Sequence, residues 1–210
     1  MTLNIAVNKL ALAVVLTLVP VSGAIAQRLS SPKVETPSDS TLVSPTTGVD
    51  YAPLRNLLAN QQWRQANKQT MDLILKAVNR QTQGWLTVEQ IDQLACWDLQ
   101  TIDRLWKNYS QGRFGFSVQF PIFIETGNKP GNLISVENYE KFGDRVGWRK
   151  DGTWIIFREN LTYNLSAPLG HLPAVRPEYQ ITGGRLNYTA LTKRMVDCNL
   201  VTPPSSPAKP

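Results

Sequence analysis

CWDLQTIDRLWKNYSQGRFGFSVQ, residues Cys96 to Gln119, decides how this chain folds. Leu99, Ile102, Leu105, Trp106 and Tyr109 recur three or four positions apart, which sets them on one stripe of an α-helix running to about Ser110. Gly112 suits the position just past that helix, where a left-handed conformation costs glycine little. Phe114 and Val118, like Phe116 and Phe120, are four apart, so the chain is expected to continue as a helix packed in the core. The glycines, phenylalanines and arginine of GRFGFSVQ suggest a recognition loop at first sight; the spacing favours packing.

The same period extends outward in both directions. Asp50 can cap a helix beginning YAPLRNLLAN, where Pro53 is tolerable because a first-turn N–H has no intrahelical partner. From Gln61 to about Gln81, Trp63, Ala66, Thr70, Leu73, Ile74 and Ala77 form an apolar stripe, with Arg64, Asn67, Lys68 and Asp72 outside it and Gly84 ending the pattern. Thr87 and Gln90 are spaced as a capping box, so a short helix is expected there. The last third carries frequent Pro and Gly, and WIIF (Trp154 to Phe157) is too short to assign beyond a short extended piece. Tyr188, Leu191, Met195 and Cys198 mark a closing helix. The fold class is therefore all-α, a compact helical domain with long loops that carry function.

The two ends read differently. Leu10 to Val21 is an apolar run too short to span a bilayer unaided, with Lys9 before it and Ala24-Ile25-Ala26 after it, as in a signal peptide. Residues 1–26 are expected to be cleaved on export to a periplasm or thylakoid lumen; the alternative is a membrane anchor through residues 10–26. Ser, Thr and Pro dominate residues 27–48 and 202–210, which read as a disordered linker and tail around a domain at residues 49–201. The formal net charge is +6, but the basic residues are scattered, which argues against nucleic acid as a partner.

Catalytic and metal signals are absent from the pattern. His171 is the only histidine, which excludes a multi-histidine zinc site, and it is expected to fix the turn GHLP through a backbone hydrogen bond. Gly183-Gly184 and the glycines of GRFGF match neither a dinucleotide fingerprint nor a P-loop. Asp98 and Asp103 do not share a helix face; Glu137 and Glu140 do, and all four are expected to be surface charges rather than general acids. An enzyme is not expected. Cys96 and Cys198 could form a disulfide in an oxidising compartment or remain two buried thiols, since pairing needs Cα atoms within about 7 Å. Of six tryptophans, Trp63 and Trp106 lie on apolar stripes and should be core, whereas Trp85, Trp148 and Trp154 flank loop glycines and are either candidates to meet a flat apolar ligand or, singly, further core residues.

Cys96 to Gln119, together with FGDRVGWR (Phe142 to Arg149), LTYNLSAPLGHLP (Leu161 to Pro173) and YAPLRNLLANQQWRQANKQT (Tyr51 to Thr70), resembles the genomes-uncoupled-four family of tetrapyrrole-binding regulators, in order, over roughly Asp50 to Leu200. The resemblance implies a helical domain shaped like a cupped hand, whose apolar hollow binds protoporphyrin IX or its magnesium form and needs no other cofactor. It implies a porphyrin carrier, sensor or regulator of chlorophyll synthesis that stimulates magnesium chelatase without itself being an enzyme. A porphyrin is a wide apolar disc with two carboxylates, so it needs an apolar wall and basic groups at the rim. Trp85, Ile91, Leu94, Phe157, Tyr163, Leu165 and Leu172 are the candidate wall. Arg80, Arg158 and Arg185 are the candidate carboxylate partners, with Arg113 and Arg149 as alternatives. Ala95 stands where the family has Pro, and Asn67 where it has Asp. Magnesium chelatase would be a partner only with the domain on the cytoplasmic side; the chain is expected to act as a monomer. The competing reading is an exported protein- or glycan-interaction module that keeps the fold without binding porphyrin.

Overall fold

The computed structural model describes residues 42–156, 158–175 and 181–203. Among them are seven α-helices: α1 (Ala52–Ala59), α2 (Trp63–Ala77), α3 (Val88–Gln93), α4 (Cys96–Tyr109), α5 (Phe116–Glu125), α6 (Val136–Arg145) and α7 (Ile181–Asp197). Strands β1 (Arg149–Lys150) and β2 (Thr153–Trp154) pair antiparallel, Arg149 opposite Trp154. The all-α expectation holds, and this hairpin is the extended piece beside WIIF. Among the described residues no helix is long and apolar enough to cross a membrane; residues 1–26 and 10–26 lie outside them.

The apolar stripe of α4 is the centre of the core: Leu99, Ile102, Leu105 and Trp106 are buried. Trp63 stacks on Trp106 at 6.1 Å between ring centroids, and Phe114 meets both rings edge-on. Burying an indole N–H requires a partner. Trp106 Nε1 donates to Thr70 Oγ1 at 2.9 Å, and that hydroxyl donates to the Ala66 carbonyl.

Polar residues expected on the surface turn out to organise this core. Asn67 is buried, its Oδ1 accepting from the Ala174 amide at 2.7 Å, because the chain around Ala174 covers the edge of the α2 stripe. Asp98 is buried under Thr47, whose hydroxyl donates to it. Asp103 is also buried and accepts from both the amide and the hydroxyl of Ser117, fixing the first turn of α5. Helical period alone could not show these contacts, since each partner comes from another segment. Trp148, a candidate ligand contact in the sequence, is likewise core, its Nε1 donating to the His171 carbonyl at 2.7 Å.

Two boundaries move. Among the described residues the packing already includes Leu42, ahead of Val49: Leu42 is fully buried and Ser44 N donates to the Val49 carbonyl across a turn. Helix α2 stops at Ala77, well before Gly84. Asn79 adopts φ 55°, and Arg80 N closes back on the Leu75 carbonyl, the six-to-one bond by which helices end when a left-handed residue is available.

GRFGFSVQ is a joint between helices and a clamp. Gln111 and Gly112 are both left-handed, and Gly115 at φ 134° opens α5 with its amide donating to the Leu172 carbonyl. A Cβ at Gly115 would lie 2.9 Å from Asp103 Oδ1, so this turn admits no side chain. Phe114 therefore precedes α5 instead of lying in it. The Arg113 carbonyl accepts from the Gly170 amide, while Arg113 Nη2 donates to the Ala167 carbonyl at 2.7 Å. His171 completes the clamp: its Nδ1 lies 2.7 Å from the Val146 carbonyl and its Nε2 accepts from the Thr162 amide. Since a carbonyl can only accept and an amide only donate, the ring is the neutral Nδ1–H tautomer. The expected turn-fixing role is the observed one.

Candidate functional site

A narrow apolar groove opens between α2, α3 and α7. Met71 and Ile74 come from α2, Leu86 precedes α3, and Ile91 and Leu94 belong to α3 and its C-terminus. Gly184, Asn187, Tyr188 and Leu191 supply the α7 wall at helical spacing, and Val175 closes one side. The groove holds about 480 Å³ of empty space counted out to its solvent-facing mouth, yet only about 30 Å³ is wide enough for the centre of a water molecule. Ligand pockets run to roughly 300–1,000 Å³, so by the smaller figure the groove is nearly closed. A thin, flat guest can enter only as the walls part.

The wall is fixed by polar contacts outside the apolar surface. Asn187 Nδ2 donates to the Leu86 carbonyl at 3.0 Å, and Arg194 Nε donates to the Leu94 carbonyl at 2.8 Å. Cys96 and Cys198 are disulfide-bonded, which settles that alternative, and Gln100 Nε2 donates to the Cys198 carbonyl. The Tyr188 hydroxyl donates to Gln119 Oε1. Burial holds that phenol well above its ordinary pKa, so it stays a neutral donor.

At the mouth, Trp85 is 40% exposed, a large exposure for an indole, and the Arg80 guanidinium lies 4.8 Å from its ring centroid. Arg185, half-buried, follows Gly184 on α7. Of the expected site residues, Ile91 and Leu94 line the groove, and Trp85, Arg80 and Arg185 adjoin its lining in sequence or by contact. Leu172 is fully buried in the core beneath Gly115. Tyr163 packs under Arg64, two helical turns along α2 from Met71, and Leu165 is half-buried in the same loop. Arg113 is committed to the Ala167 carbonyl, and Arg149 to Asp144, Glu140 and the Trp154 ring. Phe157 and the side chain of Arg158 lie outside the described residues. The structure thus brings together the first candidate loop and α7, and sets Tyr163, Arg113 and Arg149 apart from them.

Nothing in the sequence alone pointed to Met71, Ile74, Leu86, Val175, Gly184, Asn187, Tyr188 or Leu191 as lining residues, with one exception. On α7, Gly184 stands one turn before Tyr188 on the core stripe, a small residue where a core helix would carry a large one. No group of three or more His, Cys, Asp or Glu side chains among the described residues could hold a metal ion.

A family model described as GUN4-like matches residues 44–193. The chain belongs to that family. It is 31% identical over 141 residues to a Ycf53-like protein of Synechocystis, covering 66% of this chain and 55% of that one. To the tetrapyrrole-binding protein, chloroplastic, of Arabidopsis thaliana it is 31% identical over 145 residues, 60% of this chain and 49% of that one. The GUN4-like chain thus spans about half the length of these curated relatives. It superposes on ligand-free Arabidopsis GUN4 with a TM-score of 0.54 at 29% identity, covering 67% of this chain and 90% of the other. For Chlamydomonas reinhardtii GUN4 the TM-score is 0.57 at 29% identity, covering 72% and 93%.

Proposed function

We propose that this GUN4-like protein binds a tetrapyrrole, protoporphyrin IX or its magnesium form, between α2, α3 and α7, and acts as a carrier, sensor or regulator rather than a catalyst. One observation carries the reading: a slot lined almost wholly by apolar side chains, with an exposed indole and arginines beside its mouth, in a chain whose relative is named for tetrapyrrole binding. The ring's faces would lie against Met71, Ile91 and Leu191. Its carboxylates would remain at the mouth, where Arg80 and Arg185 offer planar donors suited to them. Trp85, beside that mouth, would report occupancy.

The disulfide supports export, because such bonds persist in oxidising compartments. Export separates the protein from magnesium chelatase on the cytoplasmic side, so carriage or sensing on the far side of the membrane is favoured over direct stimulation. Titrating the full chain with deuteroporphyrin tests the ligand, with saturable tryptophan quenching expected; repeating it with the magnesium complex ranks the two forms. Mass spectrometry of the cellular protein tests the compartment: a mature N-terminus at Gln27 is expected, and an intact Met1 would instead favour the anchor.

A further inference from the structure

The groove has an asymmetry in how its α7 wall is held. At the mouth end, near Gly184, the described hydrogen bond joining α7 to the segment before α3 is that from Asn187 to the Leu86 carbonyl. At the other end it is held covalently: Cys198, one residue past α7, is bonded to Cys96, the first residue of α4, which follows α3 after two residues, Leu94 and Ala95. Two hydrogen bonds reinforce that end, Arg194 to the Leu94 carbonyl and Gln100 to the Cys198 carbonyl. Tyr188 is ten residues before Cys198, about 15 Å at 1.5 Å per residue. A flat ring must part walls that admit only about 30 Å³ of water centres. Tyr188 keeps α7 in the core, packed on Phe123, Phe142 and Trp148 and bonded to Gln119. The walls, tethered at one end and hydrogen-bonded at the other, therefore part by the Leu86–α3 side swinging away from α7, which opens the mouth and keeps Leu191 against Leu94.

We propose that the Cys96–Cys198 crosslink is the positioning element for ligand binding: it acts as the hinge pin between the α3 and α7 walls, so that tetrapyrrole occupancy and the oxidised crosslink stabilise each other. The inference rests on the porphyrin reading above. Reduction by a dithiol balances simply. One reductant thiolate attacks a sulfur of the crosslink, the second displaces the mixed disulfide, and the products are two protein thiols and one oxidised dithiol. The α3 and α7 walls are then joined by packing and hydrogen bonds without the covalent link and spend part of their time in arrangements that do not fit the ring, which lowers apparent affinity by the competent fraction. Linkage requires the converse: a ligand that prefers the oxidised protein makes the crosslink harder to reduce by the same factor.

The test measures both sides of that cycle on the full chain. Deuteroporphyrin is titrated against oxidised protein, dithiothreitol-reduced protein and the variant C96S/C198S, with circular dichroism recorded for each. Binding weaker by roughly five- to tenfold, the low end of site-to-site couplings, is expected in both uncrosslinked forms. The disulfide's midpoint potential is then measured with and without saturating deuteroporphyrin, starting from the folded oxidised protein, so that the result stands even if the variant folds poorly. A tenfold coupling lowers that midpoint by about 30 mV. Saturable binding of equal affinity in all folded forms, or a midpoint unmoved by ligand, overturns the proposal while leaving the porphyrin reading standing. No saturable binding by the oxidised protein overturns the porphyrin reading, and this inference with it.

Discussion

The Tyr188 hydroxyl donates to Gln119 Oε1 at 2.9 Å, while the same glutamine's Nε2 donates to the carbonyls of Gly170 and Pro173. One fully buried side chain therefore ties the groove wall on α7 to the loop clamped by GRFGFSVQ. Gln119→Leu would leave two carbonyls and a phenol buried without their partner. Each orphaned group costs about 1–3 kcal/mol, so denaturant unfolding should show a loss of several kcal/mol, together with weaker porphyrin binding. A variant within about half a kcal/mol of the parent, the range of ordinary surface changes, would contradict this role.

Asp103 makes the pH dependence specific. Burial raises its pKa above the ordinary 3.8, the Ser117 amide and hydroxyl and nearby Lys107 offsetting only part of the shift. Between the ordinary value and the raised one the native state binds a proton that the unfolded chain has released, so stability falls as pH rises through that window. Asp103→Asn keeps an acceptor for Ser117 and cannot ionise. The difference in unfolding free energy between variant and parent should shift in the variant's favour as pH rises through the window; a pH-independent difference would show that Asp103 titrates as it does in the unfolded chain.

The crosslink should also matter to stability without any ligand. It joins residues 102 apart, and closing a loop of that size restricts the unfolded chain by about 4.7 kcal/mol in the chain-entropy account. Reductant should lower the thermal midpoint by roughly 10–20 °C, since about 1 kcal/mol moves the midpoint of a domain this size by roughly 2–4 °C. Coincident curves would mean the bond is absent or its loop already restricted when reduced.

Trp85 should be separable from folding. It is exposed and its described contact is the cation–π pairing with Arg80, so Trp85→Phe should change stability by no more than about 0.5 kcal/mol. It should nevertheless remove the largest share of porphyrin-dependent quenching. Quenching unchanged in amplitude would place the ligand away from this mouth.

What the sequence disclosed and what it hid divide along physical lines. The stripe of Leu99, Ile102, Leu105 and Trp106 needed only helical period, because those residues meet neighbours regardless of which segment supplies them. The Thr87–Gln90 capping box and the His171 turn were equally local. Asn67, Asp98 and Asp103 were not readable, since their burial depends on Ala174, Thr47 and Ser117 arriving from other segments. The groove followed the same rule. Ile91 and Leu94 were visible beside a loop tryptophan, but the α7 wall becomes a site only once α7 lies against α3. GRFGFSVQ marked the family and proved to be architecture, with Arg113 spent on the Ala167 carbonyl.

The central claim is that the ligand sits between α2, α3 and α7. Deuteroporphyrin titration of the oxidised full chain, compared with Met71→Arg and Leu191→Arg, tests it most directly. The account predicts saturable tryptophan quenching with a micromolar or tighter dissociation constant in the parent, and at least a tenfold loss in both variants with their helical circular dichroism retained. Saturable binding that both substitutions leave unchanged, or no saturable binding by the parent, would contradict it.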